Sequence, residues 1–307
     1  MKEGDLGFFM GSNGSGPEVT PDNAIAGFLL SREVEGCSQA TLKTSKYRIG
    51  KLFQHLNETT PGLSLAQINR WHVESYLVWI RNKGCSPAYV RSNYVVLRTF
   101  FKFCLQENLI QIHPMRHMKP PKLPKVAKPF LSEEQRDQLL AICPPTLFIG
   151  ARNAAVVWLL WTTGMRLSEL ANLQLSDMDW EAGRIKLFGK GSRERYVPFL
   201  KEAKKAVWRY LVYRRDDFPC LWVTEERRPI SKDGIDTSTQ RLVIRSGLQG
   251  EIKDLHHIFR RTWAMRQIRA GIPLKYVQMI GGWESVTTLE GYVRAMDTDD
   301  ALSAGWV

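Results

Sequence analysis

Two arginines, a histidine, a lysine, a tryptophan and a tyrosine lie along this chain in an order that suits one reaction. Arg166 stands just after a glycine, in Thr162-Thr163-Gly164-Met165-Arg166-Leu167-Ser168-Glu169-Leu170. Lys190 stands in Gly189-Lys190-Gly191-Ser192-Arg193-Glu194-Arg195. His257 and Arg260 are three residues apart, on one face of a helix. Trp283 follows Gly281-Gly282, and Tyr292 comes nine residues after Trp283. Planar guanidiniums can clamp the non-bridging oxygens of a phosphodiester and stabilise the charge of its transition state. A lysine carried on a turn can protonate a leaving 5′ oxygen. An indole N–H only donates, so Trp283 can hold a phosphate oxygen but cannot transfer a proton. A phenol is a fair nucleophile when cations lower its pKa. Glu169, a turn after Arg166, can orient it or a neighbouring residue. Each residue alone has an ordinary reading, as a surface arginine, a solvated turn lysine or a core aromatic. Together they suit phosphoryl transfer from DNA to tyrosine.

The composition agrees with a polyanionic partner. The chain has 307 residues, enough for two domains, and carries a net charge of +12. Its hydrophobic content of 44% supports real cores. The five cysteines, Cys37, Cys85, Cys104, Cys143 and Cys220, show no Cys-x-x-Cys spacing. Such a set argues against a disulfide framework and a zinc site and fits a reducing cytosol. No carboxylate cluster suited to two magnesium ions is visible, so no metal is expected. No secretory signal is visible, and the longest apolar run, Ala154 to Trp161, is too short to span a bilayer. A cytoplasmic protein without a membrane anchor is expected.

The elements that must position these residues read as mostly helix with a small antiparallel sheet. Residues 1–19 are Gly- and Ser-rich and are expected to be mobile. Residues 20–113 read as a small helical domain with a basic side. Thr20-Pro21 and Ser86-Pro87 are N-cap and first-turn pairs, and Ser38 caps another helix. Lys43 and Lys46 lie on that capped helix, and Arg91, Arg98 and Lys102 gather on one face of the helix begun by Pro87. Residues 114–129, rich in proline and lysine, forbid a helix and predict an extended, stiff linker bearing Lys122 and Lys125. A capping box at Ser132-Glu133-Glu134-Gln135 opens a second domain, residues 130–296. There Ala151 to Thr162 is apolar nearly all round and belongs in the core. Arg184–Phe188 and Arg195–Pro198 predict a hairpin with Lys190 in its turn, and Arg193 and Arg195 as contacts to a phosphate backbone. Helices are expected at Leu200–Arg214, Ser238–Ser246, His257–Ala270, Leu274–Ile280 and Thr287–Val293. Residues 297–307 form a tail with Ala301, Leu302, Trp306 and Val307.

In order and spacing these motifs resemble those of the tyrosine recombinase (phage integrase) family. Thr163-Gly164-Met165-Arg166-Leu167-Ser168-Glu169-Leu170 is similar to the first-arginine motif and gives Arg166 and Glu169. The stretch from Gly189 to Pro198 is similar to the β-turn lysine motif and gives Lys190. His257-Ile258-Phe259-Arg260 looks like the His-x-x-Arg box, and Gly281-Gly282-Trp283 followed by Tyr292 looks like the closing box. The likeness is strong over 132–296 and weaker over the first helices, which are similar to a SAM-like core-binding domain. Two departures are visible. Most members have histidine at the position of Trp283, although tryptophan also occurs, and many have a second histidine where this chain has Arg261.

The resemblance implies a two-domain clamp on duplex DNA and a site-specific recombinase that needs neither metal nor other cofactor. It implies Tyr292 as the nucleophile of a 3′-phosphotyrosyl intermediate, with Lys190 as general acid. Arg166, Arg260, His257 and Trp283 would hold the phosphate, and His257 could also relay the proton of Tyr292. It further implies a homo-tetramer on paired target sites, a tail that docks on a neighbouring protomer, and room for an accessory recombinase or DNA-bending protein. The short stretch before Thr20 favours a simple Xer- or transposon-type enzyme acting in integration, excision or resolution. A type IB topoisomerase, a catalytically dead DNA-binding relative and a purely structural helical protein stand as rivals.

Overall fold

The computed structural model describes residues 20–124, 129–189, 194–252 and 254–293. The chain divides into two compact units, Met1–Val126 and Ala127–Val307.

The first unit is built on α1 (Pro21–Val34), α2 (Gln39–Thr59), α3 (Arg70–Asn82) and α4 (Pro87–Gln106). Each begins where a side chain replaces a missing backbone partner. Thr20, Ser38, Asn69 and Ser86 accept from the backbone N–H groups of Asn23, Thr41, Trp71 and Tyr89. Their apolar faces meet in a core centred on Phe28, Ile49, Leu52, Tyr76, Leu97, Phe100 and Phe101. Phe28 meets Phe100 edge-on at 5.6 Å, the arrangement that ring quadrupoles favour.

The stretch after α4 is not the free tether that its prolines suggest. Prolines keep it out of a helix, but Met115 and Met118 are buried in the core of the first unit. Its backbone carbonyls find donors on α4. Tyr94 Oη donates to Met118 O at 2.5 Å, Arg98 to the Tyr94 hydroxyl at 2.8 Å, and Arg91 to Pro121 O at 3.0 Å. Arg91 and Arg98, expected to face DNA, therefore fasten this stretch. The cause is that helix-free carbonyls near a protein surface need partners. Lys125 lies outside the described residues.

The second unit opens with α5 (Glu133–Ala141), where Ser132 and Gln135 form a reciprocal capping box. Next come α6 (Phe148–Thr163), buried on nearly every side, and the short α7 (Leu167–Ala171). A three-stranded antiparallel sheet follows in the order β1 (Met178–Asp179), β2 (Arg184–Phe188), β3 (Glu194–Pro198). Ile185 pairs with Val197 and Leu187 with Arg195, so one sheet face turns Ile185, Leu187 and Val197 into the core. The chain continues through α8 (Lys201–Tyr213), α9 (Lys232–Arg245), α10 (Leu255–Arg269), α11 (Leu274–Gly281) and α12 (Thr287–Val293). Helix α9 starts six residues before its expected start. Its cap is Ser231, which accepts from the Gly234 N–H at 3.1 Å, and Gly234 in the first turn hides the helical pattern. No helix among the described residues is long and apolar enough to cross a membrane.

Candidate active site

Three glycines shape the site before any charged residue enters it. Gly164 ends α6 in the left-handed region at φ 58°, and a Cβ there would lie 2.6 Å from the Trp263 ring. A Cβ on Gly281, the last residue of α11, would lie 1.9 Å from the Trp283 ring. Gly282 follows at φ 69°, and a Cβ there would lie 2.9 Å from the Arg195 guanidinium carbon. Bare backbone is therefore required at all three points. It brings carbonyl oxygens within reach of the arginines.

The C-terminal end of α11 offers three successive carbonyls, and each takes a different arginine. Arg195 Nε donates to Ile280 O at 2.8 Å, Arg260 to Gly281 O at 2.6 Å, and Arg166 to Gly282 O. A helix C-terminus leaves its last carbonyls without intrahelical partners and carries the negative end of the helix dipole. Cations are its natural caps. The other terminal nitrogen of Arg260 donates to Gly164 O at 2.8 Å, tying the end of α6 to the end of α11.

Glu169 binds the arginines from the other side. Its side chain is 3% exposed. One oxygen accepts from the Arg166 guanidinium at 2.8 Å, the other from the Arg166 backbone N–H at 2.7 Å. Both also accept from Arg195, at 2.7 Å each, in a two-pronged ion pair. Burial alone would raise this carboxyl, but the hydrogen bonds from Arg195 and Arg166 outweigh it and hold Glu169 below the ordinary carboxylate range. Arg260 is buried, and desolvation, reinforced by the Arg166 charge, pushes its guanidinium down to about 9. It stays cationic at neutral pH.

Tyr292 completes the arrangement. The Arg260 guanidinium carbon lies 3.9 Å from the centre of the Trp283 ring. Trp283 stacks on Trp263 at 6.2 Å, and Tyr292 meets Trp283 edge-on at 6.4 Å. Nearby cations are expected to lower the phenol. The balance is the reverse: burial raises Tyr292 above its ordinary value, and the Arg261 and Arg260 charges only partly offset this. Helix α10 turns Arg260, Trp263 and Ala264 toward α11 and α12.

Arg166, Glu169, Arg260, Trp283 and Tyr292 are thus brought together. His257 lies on α10 close by in sequence but faces outward, with its ring 3.9 Å from the Asp254 carboxylate. His256 is the buried one of the pair, bonded to Thr239 at 3.0 Å and Asp236 at 3.2 Å, and it fastens α10 to α9. Lys190 and Arg193 lie outside the described residues. Lys43, Lys46, Lys102 and Lys122 are exposed on the first unit.

Arg195 departs from its expected place. Only 12% of its side chain is exposed, and it is held by Glu169 and Ile280 instead of facing a DNA backbone. The signal was present in the strand alternation, because Arg195 shares a face with the buried Val197. Arg261 stands where many family members have a second histidine. It donates to Pro129 O at 3.1 Å, so it holds the start of the second unit and sets another positive charge near Tyr292.

Comparison with known proteins shows the family. Residues 129–299 match the model of the phage integrase family. The chain is 28% identical over 279 residues to tyrosine recombinase XerD of Oceanobacillus iheyensis, covering 88% of this chain and 93% of that one. It is 30% identical over 255 residues to tyrosine recombinase XerC of the same organism, covering 80% and 82%. In fold it is similar to the Tn1549 transposon integrase solved with transposon right end DNA, at a TM-score of 0.71 and 20% identity, over 93% and 98% of the two chains. With its motifs, its fold and more than half its length accounted for, the chain belongs to the phage integrase family and is a tyrosine-type, site-specific DNA recombinase.

Proposed function

We propose that Tyr292 is the residue through which this recombinase cuts DNA. The phenolic oxygen attacks a scissile phosphate, forming a bond to phosphorus while the bond to the 5′ oxygen breaks. The product is a 3′-phosphotyrosyl link and a free 5′ hydroxyl. Arg166 and Arg260 bind the non-bridging oxygens, and Trp283 supports Arg260 and adds its own indole donor. Lys190 supplies the proton to the leaving oxygen, and His257, which faces outward in the free chain, turns inward on the bound phosphate to take the proton of Tyr292. Because burial holds the phenol above its ordinary value, attack needs that base and the positive charge around it. The observation that carries the reading is the T-shaped contact of Tyr292 with Trp283, whose ring face is covered by Arg260.

The helical first unit serves as a core-binding domain, with Lys43, Lys46, Lys102 and Lys122 on phosphates. Two paired sites and four protomers make the reactive assembly, with the tail, residues 297–307, joining neighbours. The net charge of +12 supports a duplex partner. Its setting is cytoplasmic, in the integration, excision or resolution of an element, with an accessory recombinase or DNA-bending protein where the site requires one.

The test is a covalent trap. Genomic fragments that bind the protein are nicked to make suicide substrates, and an SDS-stable protein–DNA adduct is sought and mapped by peptide. The wild type should link at Tyr292. Tyr292→Phe should form no adduct and bind DNA as before. An adduct formed by Tyr292→Phe would overturn the assignment.

A further inference from the structure

One cation in the site has no place in the chemistry just described. Arg195 lies on β3, and all its described bonds are internal: two to the Glu169 carboxylate and one to Ile280 O. It is nearly buried and is packed under Gly282, where a Cβ would meet its guanidinium. It therefore has little surface to offer a phosphate. Arg166, bound to the same carboxylate, does have such surface. Arg166 keeps 39% of its side chain exposed. It has used one N–H of each terminal nitrogen, on Glu169 and on Gly282 O, which leaves other donors of its planar fork free.

We propose that Arg195 is a positioning residue for cleavage, which fixes the Arg166 guanidinium by holding both oxygens of Glu169 and, at the same time, the end of α11. The inference rests on the reading that Arg166 binds the scissile phosphate. Glu169 alone is one carboxylate on a five-residue helix, α7. With Arg195 it becomes a rigid plate. The bidentate pair fixes the carboxylate plane, and the bond to Ile280 O fixes that plane relative to the carbonyls that receive Arg260 and Arg166. One arginine thus links β3, α7 and α11, the three elements that must agree for Arg166 to point at a phosphate. It also keeps Glu169 ionised, since burial alone would raise that carboxyl. A lysine could supply the charge but not the planar fork.

The experiment follows single-turnover adduct formation by the full chain on a nicked duplex, beside DNA affinity at fixed salt. It uses Arg195→Gln, Arg195→Lys, Arg166→Ala and the Arg166→Ala/Arg195→Gln double variant. Arg195→Gln should cleave about a hundredfold more slowly, the scale set by losing one transition-state donor, with affinity within about threefold of wild type. Arg195→Lys, which keeps the charge and is the safer variant to fold, should be about tenfold slower with full binding. Adding Arg195→Gln to Arg166→Ala should cost less than about threefold more, because both act through one group. A scissile methylphosphonate, which removes a negative charge from the phosphate, should shrink the Arg195→Gln deficit, whereas mere loss of packing would slow both substrates alike. The proposal is overturned if the two single effects multiply, if Arg195→Lys cleaves as wild type, or if Arg195→Gln weakens binding about tenfold without slowing cleavage. If Arg166→Ala itself cleaves at the wild-type rate, the phosphate reading of Arg166 fails, and this inference fails with it in a recognisably different pattern.

Discussion

Replacing Gly281 with alanine tests whether the glycine turn sets the reacting geometry. The added Cβ would sit 1.9 Å from one carbon of the Trp283 ring and 2.4 Å from the next. Ordinary contact begins near 3.4 Å, so the ring must retreat by roughly 1.5 Å, the difference between 3.4 and 1.9. That ring is not a loose chain end. It stacks on Trp263, carries Arg260 on its face and meets Tyr292 in a T-shaped contact. Moving it moves the phosphate clamp relative to the nucleophile. Overpacking of this kind costs about 1–3 kcal/mol, which lowers a melting temperature by a few degrees in a unit of this size. A displacement beyond an ångström costs on the order of a hundredfold in rate. DNA affinity should stay near wild type, because phosphate contacts along the duplex supply most of it. The position is a clean one, since Gly281 is helical and alanine adds no backbone strain, unlike Gly282 with its positive φ. The assay is single-turnover adduct formation on a nicked duplex, with a thermal melt and a gel shift alongside. A folded Gly281→Ala protein that forms adduct within about threefold of the wild-type rate would sink the claim that this shelf sets the geometry.

Arg260→Lys keeps the charge but cannot span Gly164 O and Gly281 O, so it should lose about 1–2 kcal/mol of stability and roughly a hundredfold in cleavage, read by melting and adduct formation; wild-type values for both would refute the bridging role. Protein stability should also fall in mild acid. His55 and His256 are buried, and burial holds both below the ordinary value of 6.5, with Glu58 and Asp236 opposing it. The unfolded chain then binds protons that the folded chain refuses. Stability is full above about pH 6.5 and declines as pH drops through that value toward the lower folded one. His55→Phe, placed on Trp79 and Tyr76 where the imidazole now packs, should flatten the decline in a melting series. An unchanged slope would show that His55 does not contribute to it.

The caps and the periodicities were legible because they are local. Thr20, Ser38, Ser86 and Ser132 announce helices through side chains that replace missing backbone partners, and all four do so in the structure. The hairpin was legible for the same reason. What could not be read was long-range and carried by backbone. The acceptors at Ile280, Gly281 and Gly282 are carbonyl oxygens, common to every residue, and only the fold selects which ones α11 leaves open. The letters at Gly281 and Gly282 showed that backbone was needed close by, not what it would receive. Arg195, expected with Arg193 on a phosphate backbone, lies inward because it shares a strand face with the buried Val197. Arg91 and Arg98 were grouped correctly on one face of α4, but that face meets the carbonyls of the following stretch. Charge on a helix says that a partner exists without saying whether it is a phosphate or the protein's own backbone.

The balance of charge explains why the arginines are held by carbonyls and not by more carboxylates. Among the described residues, Arg166, Arg195 and Arg260 surround one carboxylate, that of Glu169, which leaves two positive charges in this half-buried cluster. A second carboxylate would fix the guanidiniums equally well but cancel part of that charge. The carbonyls at the end of α11 supply acceptors and a partial negative potential without a formal charge, so they set geometry and leave the field intact. A bound phosphodiester brings one negative charge. Attack by a tyrosinate brings a second, spread over the phosphorane. The residual charge of this arginine cluster therefore fits the transition state better than the ground state, and an interaction that strengthens as the reaction proceeds is the kind that raises its rate.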